Sequence, residues 1–314
     1  MRETEKPILK TTDLTMKYGQ LTALSDLNLE VRKGEIFGYI GPNGAGKTTT
    51  FRILSGLQRP TSGRAVVADT DVTGDADSIK RLVGYLPDNF GIYPTLEVWE
   101  YLDFFAAAYR IPKKQRPERI DTCLKITNSA QFRDKMMGSL SRGMKQRVGI
   151  AKTLLHDPAV LILDEPAATI DPKARIQMRG LLRDLAGMGK AVLVSSHILP
   201  ELADVCDTVG FLHAGEMVAC APVQQLMQTV RQSRLMEVNV IGSPARAIEI
   251  LKRAPGAWKF LEGSDLNGTL RFDVQADKKQ LADALRLLVE SKIEVGGFYE
   301  VPVNLEDVFM TLTK

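Results

Sequence analysis

Cysteine is scarce in this chain: three in 314 residues, at positions 123, 206 and 220. An odd number at wide spacing speaks against a disulfide framework and a cysteine metal cluster, and fits a reducing compartment. Long apolar runs are missing as well. No stretch approaches the roughly 18 to 20 residues that a membrane-spanning helix needs. The opening residues, Met1 to Lys10, are polar and lack the apolar core of a secretory signal. Neither sign of charge dominates. Forty-one Lys and Arg against 38 Asp and Glu leave a net charge of +3, with the signs interspersed, so no nucleic-acid partner is expected. These absences lead to the expectation of a cytoplasmic protein. The composition that remains is that of a globular chain, 44% hydrophobic and 25% charged, long enough for two domains or one large one.

What is present begins with Gly41-Pro42-Asn43-Gly44-Ala45-Gly46-Lys47-Thr48-Thr49, which fits the phosphate-loop spacing G-x-x-x-x-G-K-[ST] at every fixed position. Glu35 to Ile40 reads as a short buried strand before it. Lys47 to Leu57 reads as a helix after it, with Phe51, Leu54 and Leu57 on one face. That context separates a phosphate loop from a Gly-rich turn that happens to precede a Lys. Backbone N–H groups of a Gly-rich turn close around phosphate oxygens because no Cβ blocks the approach. The helix that follows adds the positive end of its dipole. Gly41, Asn43, Gly44, Gly46, Lys47, Thr48 and Thr49 are therefore expected to bind nucleotide, with Lys47 on the β- and γ-phosphates and the Thr48 hydroxyl on Mg²⁺.

The run Val160-Leu161-Ile162-Leu163-Asp164-Glu165-Pro166 reads as a strand buried on both faces, as in a parallel sheet, that ends in two acids. The carboxyl end of such a strand is where ligands bind in open α/β sheets. Asp164 is placed to hold Mg²⁺ through water, and Glu165 to polarise the attacking water. Upstream, Leu140-Ser141-Arg142-Gly143-Met144-Lys145-Gln146-Arg147 puts Ser141 and Gly143 at the start of an apparent helix, a second phosphate-facing terminus. Downstream, Ala191-Val192-Leu193-Val194-Ser195-Ser196-His197 is another buried strand, ending in a His.

In this order the motifs resemble the ATP-binding cassette (ABC) family over about Ile8 to Ala221. Leu140 to Arg147 is similar to that family's signature, and Ala168-Thr169-Ile170-Asp171-Pro172 to its D-loop. His197 is similar to its switch histidine, and Tyr18 to the aromatic that stacks on adenine. Gly34-Glu35-Ile36-Phe37-Gly38, with the signature in its L-S-x-G-M-K-Q-R form, resembles the branch that drives separately encoded permeases, mostly exporters. The resemblance implies an α/β fold: a P-loop NTPase with a mixed sheet core, an antiparallel β subdomain and a helical signature subdomain at about residues 89–150. The ATPase domain is expected over residues 1–229 and a small α+β accessory domain over residues 230–314.

The resemblance also implies ATP with Mg²⁺, a membrane permease as partner, and a head-to-tail homodimer on the cytoplasmic face of the membrane. Each ATP would be held by one copy's phosphate loop and by Ser141 and Gly143 of the other, and Asp171 would also bind nucleotide. Lys47, Glu165 and His197 would be catalytic; Thr48, Asp88 and Asp164 would hold the metal. The alternatives are a soluble non-transport ABC ATPase or a nucleotide-dependent regulatory protein. Against the first stand the absence of a second phosphate loop and the lack of sustained heptads between loop and signature; the second draws support only from Asp88 and the altered D-loop.

The chain departs from the family at three places. In Gly84-Tyr85-Leu86-Pro87-Asp88 the last residue is usually Gln and sometimes Glu; Asp88 keeps an oxygen but is shorter than Gln and adds a negative charge. Arg142 replaces the first Gly of the signature pair, a change common in this branch. Ala168 and Thr169 replace Ser and Gly in the D-loop. Hydrolysis is still expected, because Lys47, Asp164, Glu165 and His197 are all present.

Eight aromatics fall between Tyr85 and Tyr109, with Leu96, Trp99, Tyr101, Leu102 and Phe105 at helical spacing. Most are expected to pack a small helical core. For Phe90 and Tyr93, in the loop before the helix, core packing and exposure as partner anchors weigh equally. In the tail, Leu235 to Ile241 and Leu270 to Val274 read as strands, Pro244 to Arg253 and Lys278 to Glu290 as amphipathic helices, and Ile293 to Val295 as the start of a further strand. Leu305 to Phe309 resembles the ending of an accessory domain common in the exporter branch.

Overall fold

The computed structural model describes residues 6–168, 170–196, 202, 204–226, 234–261 and 268–301. The chain divides into two compact units, Met1–Val223 and Gln224–Lys314.

The first unit is organised by a six-stranded sheet. Its strands are β3 (Ile36–Ile40), β6 (Val83–Leu86), β7 (Val160–Leu163), β8 (Ala191–Ser196), β9 (Thr208–His213) and β10 (Glu216–Pro222), in the order β10-β9-β3-β8-β7-β6. All neighbours are parallel except β10, which pairs antiparallel with β9 at the edge. Every residue of β3, β7 and β8 is buried. Their unbroken apolar runs are what burial on both faces demands, since an alternating strand would place polar side chains in one of the two layers. Because the strands are parallel, the carboxyl ends of β3, β6, β7 and β8 open on one edge, and each carries one of the motifs read above.

A second, antiparallel sheet has the order β2-β1-β4-β5, formed by β1 (Leu9–Tyr18), β2 (Leu21–Val31), β4 (Ser62–Val67) and β5 (Thr70–Asp71). Its inward residues Leu9, Leu14, Leu24, Leu27 and Val67 share a core with Phe37 and Tyr39 of β3 and with α1 (Lys47–Leu54). That helix is shorter than its apolar spacing suggests. Gly56, at φ 68°, takes the left-handed conformation, its N–H reaches Ile53 O, and the Leu57 N–H reaches back to Arg52 O. This is a Schellman stop. It leaves Leu57, expected on the buried face, 57% exposed.

After α2 (Ala76–Leu82) and β6, the chain enters a helical segment made of α3 (Val98–Ala108), α4 (Arg116–Ile126) and α5 (Arg142–Leu154). Tyr101, Leu102 and Ala106 of α3 are buried, as are Ile120, Cys123 and Leu124 of α4 and Val148, Ile150 and Ala151 of α5. Phe90 and Tyr93 part ways here. The Phe90 ring lies on α5 at Gly149, where an added Cβ would come within 2.7 Å of the ring. Tyr93 is 47% exposed and meets Phe104, itself half exposed, edge-on at 5.6 Å. The last helix of this unit described in full is α6 (Pro172–Gly187).

The second unit runs β11 (Arg234–Ile241), α7 (Pro244–Leu251), β12 (Ala257–Phe260), β13 (Thr269–Gln275), α8 (Lys278–Glu290), β14 (Glu294–Val301). The sheet order β12-β13-β11-β14 is antiparallel throughout, so the two βα units interlock as a split β-α-β pair. Alternate residues Met236, Val238 and Val240 of β11 and Leu270, Phe272 and Val274 of β13 face Ala247 and Leu251 of α7 and Ala284 and Leu288 of α8. Period-two alternation on the strands and 3.6-residue spacing on the helices made these elements readable in sequence. The first helix stops at Leu251 rather than Arg253. Leu305 to Phe309 lies outside the described residues.

Candidate functional site

At the carboxyl end of β3 the chain turns sharply into α1. Gly41 could carry no side chain, because a Cβ there would meet Leu212 O at 2.4 Å. Gly46, at φ 110°, is the N-cap of α1, and a Cβ on it would meet Ala23 O at 2.6 Å. With Gly at the cap no side chain satisfies the first-turn N–H groups of Lys47, Thr48 and Thr49. Gly44, at φ 83°, has nothing within 4 Å of its Cβ direction. The loop is thus pinned from behind by close contacts and open in front, with orphan donors and a helix dipole facing the opening. That fits a polyphosphate.

The opening is a cavity of about 530 Å³, within the usual size of a small-molecule site. It is lined by the loop, by Asp88, Arg142, Asp164 and Glu165, and by Tyr18. Tyr18 closes β1 at 45% exposure, with its hydroxyl accepting from Gln58 Nε2.

Buried polar groups bind the motifs to one another. Lys47, 7% exposed, donates to Gly41 O at 2.6 Å and lies 3.7 Å from Glu165 Oε1. The Thr48 hydroxyl donates to Asp164 Oδ2 at 2.9 Å. The Ser195 hydroxyl donates to Asp164 Oδ1 at 2.6 Å and accepts the Glu165 N–H at 2.9 Å. Asp164 is 4% exposed, so a carboxylate there depends on these donors. The pairing is charge-assisted and correspondingly strong.

Glu165 has φ 51°, the left-handed region, which costs a non-glycine residue about 1–2 kcal/mol. Two bonds hold it there: its N–H to Ser195, and its carbonyl accepting from Ala168 N at 3.1 Å. The kink turns the backbone out of the β7 direction beside the phosphate loop. Ser195 is a functional residue that sequence reasoning passed over. The signal that finds it is register: β7 pairs with β8 as Leu163↔Val194, which brings Ser195 opposite Asp164.

The remaining expected site residues are placed as follows. Ser141 caps α5, its hydroxyl accepting from Met144 N, and Gly143 is the second residue of that helix. Asp171 caps α6 and accepts from Ala174 N at 2.9 Å. None of these three lines the cavity of its own chain. Asp88 does, and its Oδ1 lies 3.5 Å from the Arg142 guanidinium. His197 and Thr169 lie outside the described residues. No cluster of three or more His, Cys, Asp or Glu suited to a metal occurs among the described residues. Thr48 and Asp164 supply an oxygen pair of the kind that Mg²⁺ takes together with substrate phosphates.

The arrangement can hold a nucleoside triphosphate by its phosphates, with a carboxylate beside the transferring end. Comparison with known proteins agrees. Residues 24–168 match the family model described as ABC transporter. The chain is 35% identical over 306 residues to the bacitracin transport ATP-binding protein BcrA of Bacillus licheniformis, spanning 97% of each chain. It is 33% identical to the Nod factor export ATP-binding protein I of Ralstonia nicotianae, spanning 98% of this chain and 94% of the relative. Among solved structures, cbiO1 from Clostridium perfringens, part of the cbiONQ transporter complex, superposes with a TM-score of 0.65 at 29% identity, over 71% of this chain and 92% of that one. A dimeric post-hydrolysis state of the cassette MJ0796 bound to ADP and Pi gives a TM-score of 0.61 at 27% identity, over 68% of this chain and 98% of that one. With a phosphate loop, an acidic strand end and a signature helix on a parallel sheet, and with relatives alike over nearly the whole length, the chain belongs to the ABC transporter family as an ATP-binding, ATP-hydrolysing subunit.

Proposed function

We propose that this chain is the motor of an exporter, working as a head-to-tail homodimer on a separately encoded permease at the cytoplasmic face of the membrane. The observation that carries the hydrolytic part is the Asp164–Ser195–Glu165 network. It fixes a carboxylate at the end of β7, 3.7 Å from the Lys47 ammonium, in a wall of the cavity.

In this reading the loop N–H groups and Lys47 bind the β- and γ-phosphates, and Tyr18 stacks on the base. Thr48 and Asp164 would hold Mg²⁺, and Asp88 lines the same cavity; the ion when bound would neutralise phosphate charge. Glu165 orients the attacking water and takes its proton. His197 is assigned to the γ-phosphate on resemblance alone. Ser141, Gly143 and Asp171 are assigned to the nucleotide of the second copy. Their placement away from the chain's own cavity supports that assignment, as does the dimeric state reported for the related cassette MJ0796.

No helix among the described residues is long and apolar enough to cross a membrane; the transport path is assigned to the permease that relatives of this family work with. The exposed pair Tyr93 and Phe104 on the helical segment is the contact surface we assign to that partner. The export direction rests on relatives named for bacitracin transport and Nod factor export.

The test is Glu165→Gln. The amide keeps the shape and cannot act as a base. Turnover should fall at least about a hundredfold, while Mg·ATP should double the mass seen by light scattering. A variant that stays monomeric with ATP, or that keeps its turnover, overturns the reading.

A further inference from the structure

Tyr18 is poorly constrained by its own strand. It is the last residue of β1, 45% exposed, and the next residue, Gly19, turns the chain at φ 59°. Its cross-strand partner is Leu21, which is exposed as well. A side chain so placed has several rotamers open to it. Stacking on a base uses only the one that presents a ring face.

The constraint comes from elsewhere in the fold. The Schellman stop at Gly56 ends α1 early and leaves Gln58 outside the helix, on the segment that leads to β4. From there Gln58 Nε2 donates to the Tyr18 hydroxyl. The backbones beside this contact are already joined. The Thr61 N–H donates to Thr15 O at 2.9 Å, and the Lys17 N–H donates to Thr61 Oγ1 at 2.9 Å. Gln58 therefore holds the ring from a backbone whose distance to β1 is fixed.

Tyr18, Leu21 and Ala23 line the nucleotide cavity, and Gln58 does not. A base lying on Tyr18 feels Gln58 only through the ring. A phenylalanine would offer the same ring face, so the hydroxyl serves Gln58 and not the stacking itself. The stretch from Lys47 to Thr61 then works at both ends of a nucleotide. Its start belongs to the phosphate loop, and its end is tied to the strand that carries the aromatic.

We infer that Gln58 is a positioning residue for the base: it holds the Tyr18 ring in place before nucleotide arrives, so that binding does not have to order the ring. The inference rests on Tyr18 as the stacking residue proposed above.

The test compares two ligands on the full-length protein, ATP and inorganic tripolyphosphate, which has phosphates and no base. Binding is measured by calorimetry in EDTA, so that no turnover occurs. The readout is the ratio of ATP affinity to tripolyphosphate affinity, in which any general damage to the fold or change of charge cancels. Gln58→Ala should lower this ratio about threefold. Tyr18→Phe should lower it by the same factor, and the double variant should lower it no further. Gln58→Glu should restore the wild-type ratio, because its carboxylate accepts the phenolic O–H and the contact survives with donor and acceptor exchanged. An unchanged ratio in Gln58→Ala, a second threefold loss in the double variant, or a Glu variant as poor as the Ala variant overturns the inference. Tyr18→Ala tests the stacking on which it rests and should lower the ratio at least about tenfold. If that variant keeps the wild-type ratio, the base does not lie on Tyr18 and Gln58 has nothing to position. Lys47→Ala tests the phosphate site separately, because it should weaken both ligands.

Discussion

In the first unit Lys47, Asp164 and Ser195 lie buried beside wholly apolar strands; in the second, around Val238 and Phe272, no polar or charged side chain among the described residues is buried. The two interiors answer different demands. The second unit needs only a stable sheet with two helices on one face, and apolar burial supplies that at about 25 cal/mol for each Å² removed from water. The first unit removes carboxylate and ammonium groups from water, which is costly unless each finds a partner. Lys47 and Asp164 meet that condition in the lining of the nucleotide cavity, whereas Glu35, Lys152 and Lys190, also buried in the first unit, lie outside it.

That contrast can be broken from either side. The largest effect is expected from Lys47→Ala, which removes the phosphate loop's side-chain cation. ATP affinity, measured by calorimetry, should fall at least a hundredfold, with the melting of the second unit unchanged; affinity within twofold of wild type would show that the buried cation is not there for nucleotide.

Phe272→Ala attacks the apolar side. Phe272 is fully buried and meets Trp258 and Phe260 edge-on at 5.6 Å each. Its truncation should destabilise the second unit by about 3–5 kcal/mol. Hydrogen exchange should quicken over residues 234–301 while ATP affinity stays within twofold. A matching loss of ATP affinity would mean that the two interiors are not independent.

Ser195→Ala sharpens the comparison within the first unit. It takes one donor from Asp164 and one acceptor from the Glu165 N–H, and it leaves a nearly fully buried carboxylate short of a partner. Turnover should drop about tenfold, with ATP affinity changed less than threefold. A fall in affinity that matches the fall in turnover would make Ser195 a purely structural prop.

The smallest effect concerns a buried charge with no phosphate to serve. Lys152, on α5, is 9% exposed and lies 4.9 Å from the Phe105 ring and 5.3 Å from the Phe90 ring. Burial lowers its ammonium from the ordinary 10.5 to about 8. The sign follows from proton counting. Between about pH 8 and 10.5 the unfolded chain holds a proton that the folded chain has lost, so stability rises with pH across that window. Below pH 8 both states are charged and the folded state bears the full desolvation cost, partly offset by the two rings. Lys152→Met should therefore stabilise the protein by about 1 kcal/mol at pH 7, and the gain should fade above pH 8. Chemical denaturation at pH 7 and pH 9.5 measures it. A loss of stability at pH 7 would show that the rings hold the cation at a net profit.

Much of this was open to inspection in the chain itself. The phosphate loop could be named because its glycines, Lys47 and Thr48 act through local backbone geometry, and local geometry follows from local sequence. The apolar run of β7 read as a strand of a parallel sheet, Glu35 to Ile40 and the run before His197 read as further buried strands, and Ser141 read as a helix start. In the second unit β11, β13, the two helices and the start of β14 followed from their periodicities, while the four-residue β12 was not read. The end of α1 was overrun, although Gly56 stood in the sequence as a stop; an apolar residue at helical spacing outweighed it. The fate of Phe90 and Tyr93 was undecidable in advance. Both are aromatics in one loop, and only the small residue at Gly149 across the fold made room for one of them.

What the sequence by itself determined is therefore the set of parts: a phosphate loop, an acidic strand end, a signature helix and a separate small α+β unit. Each is encoded within a few residues, by glycine freedom, apolar runs or helix caps. What only the tertiary structure decided is which parts touch. Ser195 joins Asp164 and Glu165 because β7 and β8 pair in one register, and a shift of one residue would turn its hydroxyl to the other face. Asp88 meets Arg142 because β6 and α5, far apart in sequence, deliver them to the same wall of the same cavity. Contacts of that kind depend on distances between elements, and no window of sequence contains them.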